Sequence, residues 1–340
     1  MRRLTALALI LCTAAAPKPP LCGLVAMGRV HFQKTGEDPD NSLREPNAHP
    51  GIYAAAVIMA KWSQLQPTPR ALDTTAIDTG LAAIRRYNAA HPRTPLKAKL
   101  RIFAGPSAPA WAKSVGGAPV PIMLAGVPVQ IGRFWTASYR EAWRQLQQSL
   151  ATRYDNDPLV GEVAASSCAV ATAEPFGVHV FLDSAAAVRA AGFSDAAYKA
   201  CLLSVPDDYA AWQRTPIDYT FGTFQDTDSG RGVRDPAFTV EDMRAFRARF
   251  GARAVLATHG LRDPIPNGLQ PLYQALQSLG PPIAFQTLSP NINLDAAVRL
   301  GMTYRPTEME IWDSSAAGGP ASISLPMLQS WSAGFTCPAG

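Results

Sequence analysis

The sequence predicts a (β/α)8 barrel, a closed ring of eight parallel strands with helices packed around it. Its 340 residues are 47% hydrophobic and only 17% charged, which gives enough apolar chain for one large core and is too apolar for disorder. Eight apolar, β-rich runs alternate for the most part with helical patterns. An open doubly wound sheet is the rival, but neither a GxGxxG turn after an early strand nor a P-loop occurs.

The predicted strands are continuous apolar runs, as expected for strands buried on both faces of a parallel sheet. In chain order they cover residues 23–32, 51–62, 97–105, 159–168, 217–224, 253–261, 282–288 and 307–313. The active site of such a barrel lies at the carboxyl ends of its strands. Residues at and just beyond these ends are therefore the candidates for function.

The predicted helices carry apolar residues three or four positions apart, so that each presents one apolar face. The stripes are Ile77, Leu81 and Ile84; Tyr139, Trp143, Leu146 and Leu150; Met243, Phe246 and Phe250; and Leu272, Leu276 and Leu279. Asp73 or Thr74 is a candidate cap for the first of these helices. We expect all four faces to pack on the sheet, with partner binding as the alternative, and we therefore expect a monomer.

The first residues, MRRLTALALILCTAAA, have the form of a cleaved secretion signal, with two arginines, a short apolar run and a small-residue site. The run is far shorter than the roughly 20 residues that a membrane anchor needs. Lipid attachment at Cys12 is disfavoured because Leu11 stands where a small residue is expected. We predict a signal peptide at residues 1–16, a single barrel domain at 17–340, a secreted or periplasmic location, and no membrane attachment after cleavage.

Charge and histidine content disfavour two classes of function. Loss of Arg2 and Arg3 with the signal lowers the formal charge from +5 to +3, and the basic residues form no stripe with interleaved aromatics, so nucleic acid is not predicted as a partner. Five histidines without an HxH or HExxH pair make a poor ligand set, so we predict neither a metal nor another cofactor.

Four cysteines remain after signal cleavage, an even number that suits disulfides in an exported protein. We predict the pairs Cys168–Cys201 and Cys22–Cys337. The first would join the loop after a strand to the following helix, and the second would tie together the termini, which a closed barrel brings near each other. Buried free thiols are the alternative.

Aromatic, amide and charged side chains collect at the carboxyl ends of the predicted strands. Aromatic rings suit the C–H face of a pyranose, and amides and acids suit its hydroxyls, so a carbohydrate is the predicted partner. The long Gly- and Pro-rich loop 105–137 contributes two of the tryptophans and is predicted to be an ordered flap. The residues predicted to bind substrate are Trp62, Arg101, Trp111, Trp135, His259, Gln286 and Trp312.

Three stretches resemble the clan A glycoside hydrolases, notably their β-galactosidase-like families. WSQLQPTPRALDTTAIDTGLAAI is similar to the stretch after their second strand, KLRIFAGPSAPAW to their third strand and its continuation, and LATRYDNDPLVGEV to the approach to their fourth strand. The similarity covers residues 51–176, and the second half follows only in strand count. It implies a (β/α)8 barrel that cleaves O-glycosidic bonds with two carboxylates.

The sequence departs from that family at both catalytic positions. Where the family has Asn-Glu at the end of the fourth strand, this chain has Ser166 and Ser167, and AEPF further on makes Glu174 the acid/base candidate. At the end of the seventh strand Gln286 stands where the family has its nucleophile. An amide cannot form the glycosyl ester, so a second carboxylate has to come from elsewhere.

The last strand offers that carboxylate. Alternation in EMEIW places Glu308, Glu310 and Trp312 on one face, and buried acids are rare unless they are paired. We predict Glu174 and Glu310 as the catalytic pair of a secreted glycoside hydrolase. The alternatives are that Glu310 only pairs with Arg101 or Lys61 and that Glu174 is a solvated loop acid. The alternative function is a barrel that binds sugar without cleaving it.

Overall fold

The computed structural model describes residues 16–28, 43–124, 126–170, 172–176, 184–228, 231–287, 293–312 and 323–337. Eight parallel strands close into a barrel in the order β1, β2, β3, β6, β7, β10, β11, β12. Their bounds are β1 Gly23–Met27, β2 Tyr53–Lys61, β3 Lys97–Phe103, β6 Val160–Ala165, β7 Ile217–Thr220, β10 Ala254–Leu261, β11 Ile283–Thr287 and β12 Glu308–Trp312. The predicted barrel is confirmed, and each predicted run contains one of its strands.

The helices lie between the strands and around the barrel. Their bounds are α1 Arg44–Ala48, α2 Trp62–Leu65, α3 Thr75–Ala90, α4 Ala110–Lys113, α5 Ala137–Tyr154, α6 Ala185–Ala190, α7 Asp195–Leu203, α8 Val205–Asp208, α9 Pro236–Phe250, α10 Gln270–Leu279, α11 Leu294–Met302 and α12 Leu325–Ser332. The four predicted stripes fall on α3, α5, α9 and α10, and all of their residues are buried except Leu279, which is half-buried. The N-cap residue of α3 is Thr74, and Asp73 Oδ1, one position earlier, accepts the Thr75 N–H at 2.9 Å.

Two small antiparallel hairpins form separate sheets outside the barrel. One joins β4 (Val120–Leu124) to β5 (Val127–Ile131), and the other joins β8 (Phe224–Gln225) to β9 (Arg234–Asp235). The first hairpin belongs to the long loop after β3, which also contains a 3-10 turn at Gly105–Ser107 and α4. That loop is therefore an ordered flap, as its aromatic content predicts.

The core has an outer and an inner part. The outer part, between sheet and helices, holds most of the buried aliphatic and aromatic side chains. Inside the ring are two small apolar clusters, one of Leu21, Val25, Met27, Ala55 and Val57 and the other of Val255, Ala257 and Ala284. The rest of the inner layer is charged, which is unusual because ionised side chains are rarely fully buried.

Both predicted disulfides are confirmed. Cys22 is bonded to Cys337 and ties β1 to the end of the described chain, and Cys168 is bonded to Cys201 and ties the loop after β6 to α7. The predicted signal lies almost entirely outside the described residues. Within the described part of the chain, no helix combines the length and the hydropathy that a bilayer span requires.

Candidate active site

Lys99 lies at the centre of a buried ionic cluster inside the barrel. Its ammonium nitrogen is 2.5 Å from Glu308 Oε1, 2.7 Å from Glu310 Oε1 and 2.9 Å from Glu162 Oε1, and it also contacts Asp218. Lys99 belongs to β3 and the acids belong to β6, β7 and β12, so these contacts cross the interior of the ring. An ammonium has only three N–H donors, and four carboxyl groups surround it.

Arg101 is the second cation of the cluster, two residues further along β3. Its Nη2 donates to Glu310 Oε1 at 2.6 Å, and Glu310 is 1% exposed. Burial alone would raise the pKa of Glu310, but Arg101 and Lys99 outweigh burial and hold that pKa well below its usual range. Glu310 is therefore a carboxylate at every pH at which the fold persists.

The cluster has two more carboxyl groups than cations. Burial and the neighbouring Glu308 carboxyl raise the pKa of Glu162 well above its usual range. Burial likewise raises the pKa of Glu308, against the opposing effect of Lys99. Both shifts favour the protonated acids, which lowers the excess negative charge and with it the cost of burying the cluster.

Glu174, His259 and Thr220 form a hydrogen-bonded chain at the carboxyl ends of the strands. Glu174 Oε1 is 2.8 Å from His259 Nδ1, and His259 Nε2 is 3.0 Å from Thr220 Oγ1. Glu174 lies on the loop after β6, and its side chain is 37% exposed, whereas the His259 side chain is 9% exposed. The loop glutamate is thus held by a nearly buried imidazole that is anchored on two adjacent strands.

A cavity of about 300 Å³ opens onto this chain. Its walls combine phenylalanine rings with hydroxyl, amide and guanidinium groups, a mixture that suits a polar ligand with an apolar face. The lining residues are Glu174, Phe176, Thr220, Phe221, Gly222, Thr223, Gln225, Arg234, Thr258, His259, Gly260, Pro266, Asn267 and Leu269.

His259 connects the cavity to the ionic cluster. Ligand-type atoms of Asp218, His259 and Glu310 lie within 4.8 Å of one another, so the two predicted catalytic acids both lie close to the same imidazole. This spacing would suit a metal ion. Asp218 and Glu310, however, already contact the Lys99 ammonium, which supplies the positive charge that a metal would bring.

The structure brings four of the predicted site residues together and places the others around them. Glu174, Glu310, Arg101 and His259 form the connected group. Gln286 is buried beside Glu310, its register partner in the β11–β12 ladder. Trp312 follows Glu310 on the same face and donates its indole N–H to the Thr287 carbonyl at 3.1 Å.

The predicted tryptophans of the second and third strand ends lie in packing positions. Trp62 is fully buried, with its ring edge-on to Trp111, Tyr139 and Trp143, so it presents no face to a ligand. Trp111 is half-buried and donates to the Gln66 carbonyl, and Trp135 packs against Phe134 and Phe193. Trp62 thus holds the flap to the barrel.

Ser166 and Ser167, which stand where the resemblance places Asn-Glu, are both buried, and Ser166 has a structural role. Ser166 Oγ donates to the Ile102 carbonyl at 2.5 Å, and its N–H donates to the Tyr209 hydroxyl at 2.8 Å. The fourth strand therefore ends without an acid, and Glu174 on the following loop takes that place at the cavity.

Sequence reasoning missed Lys99, Glu162, Asp218 and Thr220. A usable signal was present, because Glu162 and Asp218 are each the one charged residue of an otherwise apolar strand, and Lys99 alternates with Arg101. A charge within a strand that is buried on both faces needs a partner from another strand. Which strands meet across the ring follows only from the closed topology.

Comparison with solved structures finds the same barrel fold in other proteins. No family model and no curated protein matches the chain. Endo-glycoceramidase II from Rhodococcus sp., solved as a lactosyl-enzyme intermediate, superposes with a TM-score of 0.54 at 13% identity over 94% of this chain and 81% of that one. The β-amylase catalytic domain from Paenibacillus polymyxa gives 0.55 at 9% identity over 87% and 92%.

A third similar structure is the β-galactosidase from Bacillus circulans sp. alkalophilus, with a TM-score of 0.50 at 12% identity over 93% of this chain and 55% of that one. The expected clan A-like barrel is thereby confirmed as a fold. At these identities the likeness concerns the fold alone, and function has to be argued from the site.

Proposed function

We propose that this protein is a glycoside hydrolase that cleaves O-glycosidic bonds of an oligo- or polysaccharide, with Glu174 as its general acid/base. One observation carries the proposal: Glu174 lines a polar cavity at the carboxyl end of the barrel and is hydrogen-bonded to His259, which also lies beside the ionised Glu310. A protonated carboxyl beside a fixed carboxylate is the pairing that glycoside hydrolysis requires.

Glu310 is the partner carboxylate in this scheme. Its contacts with Arg101 and Lys99 keep it ionised, so its negative charge is in place before an oxocarbenium-like transition state develops. The same contacts reduce its strength as a nucleophile. Electrostatic stabilisation or activation of water is therefore the role that the geometry supports better for Glu310.

The cavity supports a carbohydrate ligand. Thr223, Gln225 and Asn267 offer donors and acceptors for hydroxyl groups, and Phe176 and Phe221 supply apolar surface. The similar solved structures carry glycosidase names, and one of them was solved with a lactosyl group on the enzyme. These names agree with the substrate class that the cavity suggests.

A second candidate function is sugar binding without cleavage. Gln286 occupies the end of the seventh strand, and the nearby Glu310 is 1% exposed and engaged by two cations. A site in which the second carboxylate cannot reach the anomeric carbon would hold a sugar and leave its bond intact.

Assays on the protein spanning residues 17–340 separate the two candidates. We expect turnover of at least one member of a panel of aryl glycosides and polysaccharides, and a loss of 10²-fold or more in kcat for Glu174→Gln and for Glu310→Gln. Glu241→Gln, an exposed acid on α9, is the matched control and should retain full activity. Sugar binding without turnover would select the second candidate, and neither binding nor turnover would refute both.

We further propose that the chain is exported, loses residues 1–16 and functions as a single-domain monomer that needs no cofactor. Two disulfides among the described residues are compatible with an oxidising compartment. Mass spectrometry of protein recovered from the periplasm or medium should show a chain that begins at Pro17, and light scattering should give the monomer mass. A chain retained in the cell with Met1 intact would contradict export.

A further inference from the structure

We propose that His259 is a positioning residue for Glu174, with an Nδ1–H donor aimed at the glutamate and the Thr220 hydroxyl holding Nε2. This role rests on the acid/base function of Glu174 proposed above. It replaces the substrate contact that the sequence predicts for His259, because both ring nitrogens already have protein partners.

The two adjacent strands explain how the imidazole is held. Thr220 pairs with Ala257 in the β7–β10 ladder, and His259 follows Ala257 by two residues on the same inward face. The Thr220 hydroxyl therefore lies next to the ring, 3.0 Å from Nε2, while Nδ1 faces Glu174 Oε1 at 2.8 Å. Rotation of the imidazole by 180° about the Cβ–Cγ bond would break both contacts.

The proton positions follow from the chemistry of the three groups. The Thr220 hydroxyl can donate or accept, so it holds Nε2 without deciding which ring nitrogen carries a proton. Nδ1 faces a carboxyl oxygen, and a proton on Nδ1 is donated to Glu174 Oε1. With Oε1 committed to the ring, the ionisable proton of Glu174 resides on Oε2. In the other tautomer, the bare Nδ1 would draw that proton to Oε1, away from a substrate.

Several charged groups surround the His259 ring. Glu174 faces His259 from the loop after β6, Asp218 from β7 and Glu310 from β12, and the Arg101 guanidinium interacts with both glutamates. The imidazole is nearly buried, so water competes weakly for its hydrogen bonds. The Nδ1–H donor therefore orients Glu174 from a ring whose position is fixed.

The hydrogen bond from Nδ1 strengthens as the reaction proceeds. The proton on Glu174 Oε2 moves to the glycosidic oxygen, the bond from that oxygen to the anomeric carbon breaks, and the oxygen retains the electron pair. Glu174 is left as a carboxylate, which accepts the Nδ1–H bond more strongly than the carboxylic acid does. His259 therefore stabilises the transition state more than the ground state, and this raises kcat.

Nitrogen-15 NMR of the histidine rings tests the tautomer without any substrate. We expect the His259 ring, assigned by its loss in His259→Gln, to carry its proton on Nδ1 at neutral pH in the protein spanning residues 17–340. Glu174→Leu removes the acceptor and should shift the Nδ1 resonance. Thr220→Val removes the Nε2 partner at nearly constant shape and should shift the Nε2 resonance, and Thr220→Ser should restore it. An unprotonated Nδ1 in the unmutated protein, or an Nε2 resonance that Thr220→Val leaves unchanged, would overturn the inference.

Kinetics supply the second readout. Thr220→Val should lower kcat about tenfold or more with little change in KM, and Thr220→Ser should recover most of it. If the ring resonances behave as expected and no glycoside is cleaved, the proposed function fails and the positioning geometry stands. If glycosides are cleaved and Thr220→Val changes neither the Nε2 resonance nor kcat, the inference fails and the proposed function stands.

Discussion

Lys99 and Glu310 meet across the inside of the barrel with 2.7 Å between the ammonium nitrogen and a carboxylate oxygen, although β3 and β12 are separated by two strands around the ring. This ion pair joins the two sides of the interior. It also connects the fold to the proposed chemistry, because Glu310 lies beside the imidazole that holds Glu174.

Removing the ammonium should destabilise the whole barrel. Lys99→Met would leave Asp218 and Glu310 as buried carboxylates without the cation that both contact, which we expect to lower the free energy of unfolding by about 3 kcal/mol or more. Urea denaturation measures the change. Lys97→Met is the control, because Lys97 is exposed at the start of the same strand and its loss should cost under about 1 kcal/mol. Equal effects of the two substitutions would contradict the central role of Lys99.

Conversion into an amide should affect Glu162 and Glu310 differently. Burial raises the pKa of Glu162 well above its usual range, which favours the protonated acid, and an amide resembles a carboxylic acid, so Glu162→Gln should change the free energy of unfolding at pH 7 by less than about 1 kcal/mol. Glu310→Gln removes the charge that balances Arg101 and should cost about 3 kcal/mol. A large loss in Glu162→Gln would show that Glu162 is ionised and that the cluster is balanced in another way.

Asp242 should make the protein less stable as the pH rises. Burial raises its pKa to about 7, although the Tyr219 hydroxyl donates to it at 2.9 Å. Below the ordinary value of 3.8, Asp242 is protonated whether the chain is folded or not, so its contribution is fully present there and is lost between 3.8 and about 7.

Asp242→Asn isolates this effect from other acids. It should raise the free energy of unfolding by about 1 to 3 kcal/mol at pH 8 and change it little at pH 4. Thermal and urea denaturation at the two pH values give the comparison, with the unmutated protein as the reference. A gain that is the same at both pH values would mean that ionisation of Asp242 is not its cause.

The fold was largely predictable from local pattern, and the site only in part. Each barrel strand is a continuous apolar run, and such runs are visible without any knowledge of their neighbours. Glu174 could be singled out because it stands alone on an apolar loop, and Glu310 because alternation places it inside. The partners of these acids could not be named, because Lys99 and Thr220 acquire their roles only when distant strands close into a ring. Trp62 is the opposite case, because the sequence overestimates its role. A tryptophan at a strand end is predicted to bind sugar, and only the structure places its ring against Trp111 and Trp143.

The two disulfides should separate activity from stability. Cys168–Cys201 fixes the start of the loop that carries Glu174, whereas Cys22–Cys337 joins the two ends of the described chain and closes a far longer loop, with a sequence separation of 315 against 33. Replacing Cys22 and Cys337 by Ala should therefore cause the larger loss of stability, about 3 to 5 kcal/mol, with kcat unchanged on folded protein. Replacing Cys168 and Cys201 by Ala should lower kcat several-fold, because Glu174 loses its fixed approach to His259. Denaturation curves give the stability of each double variant, and kinetics give its kcat. An equal loss of kcat in the two variants would mean that the Cys168–Cys201 bond does not position Glu174.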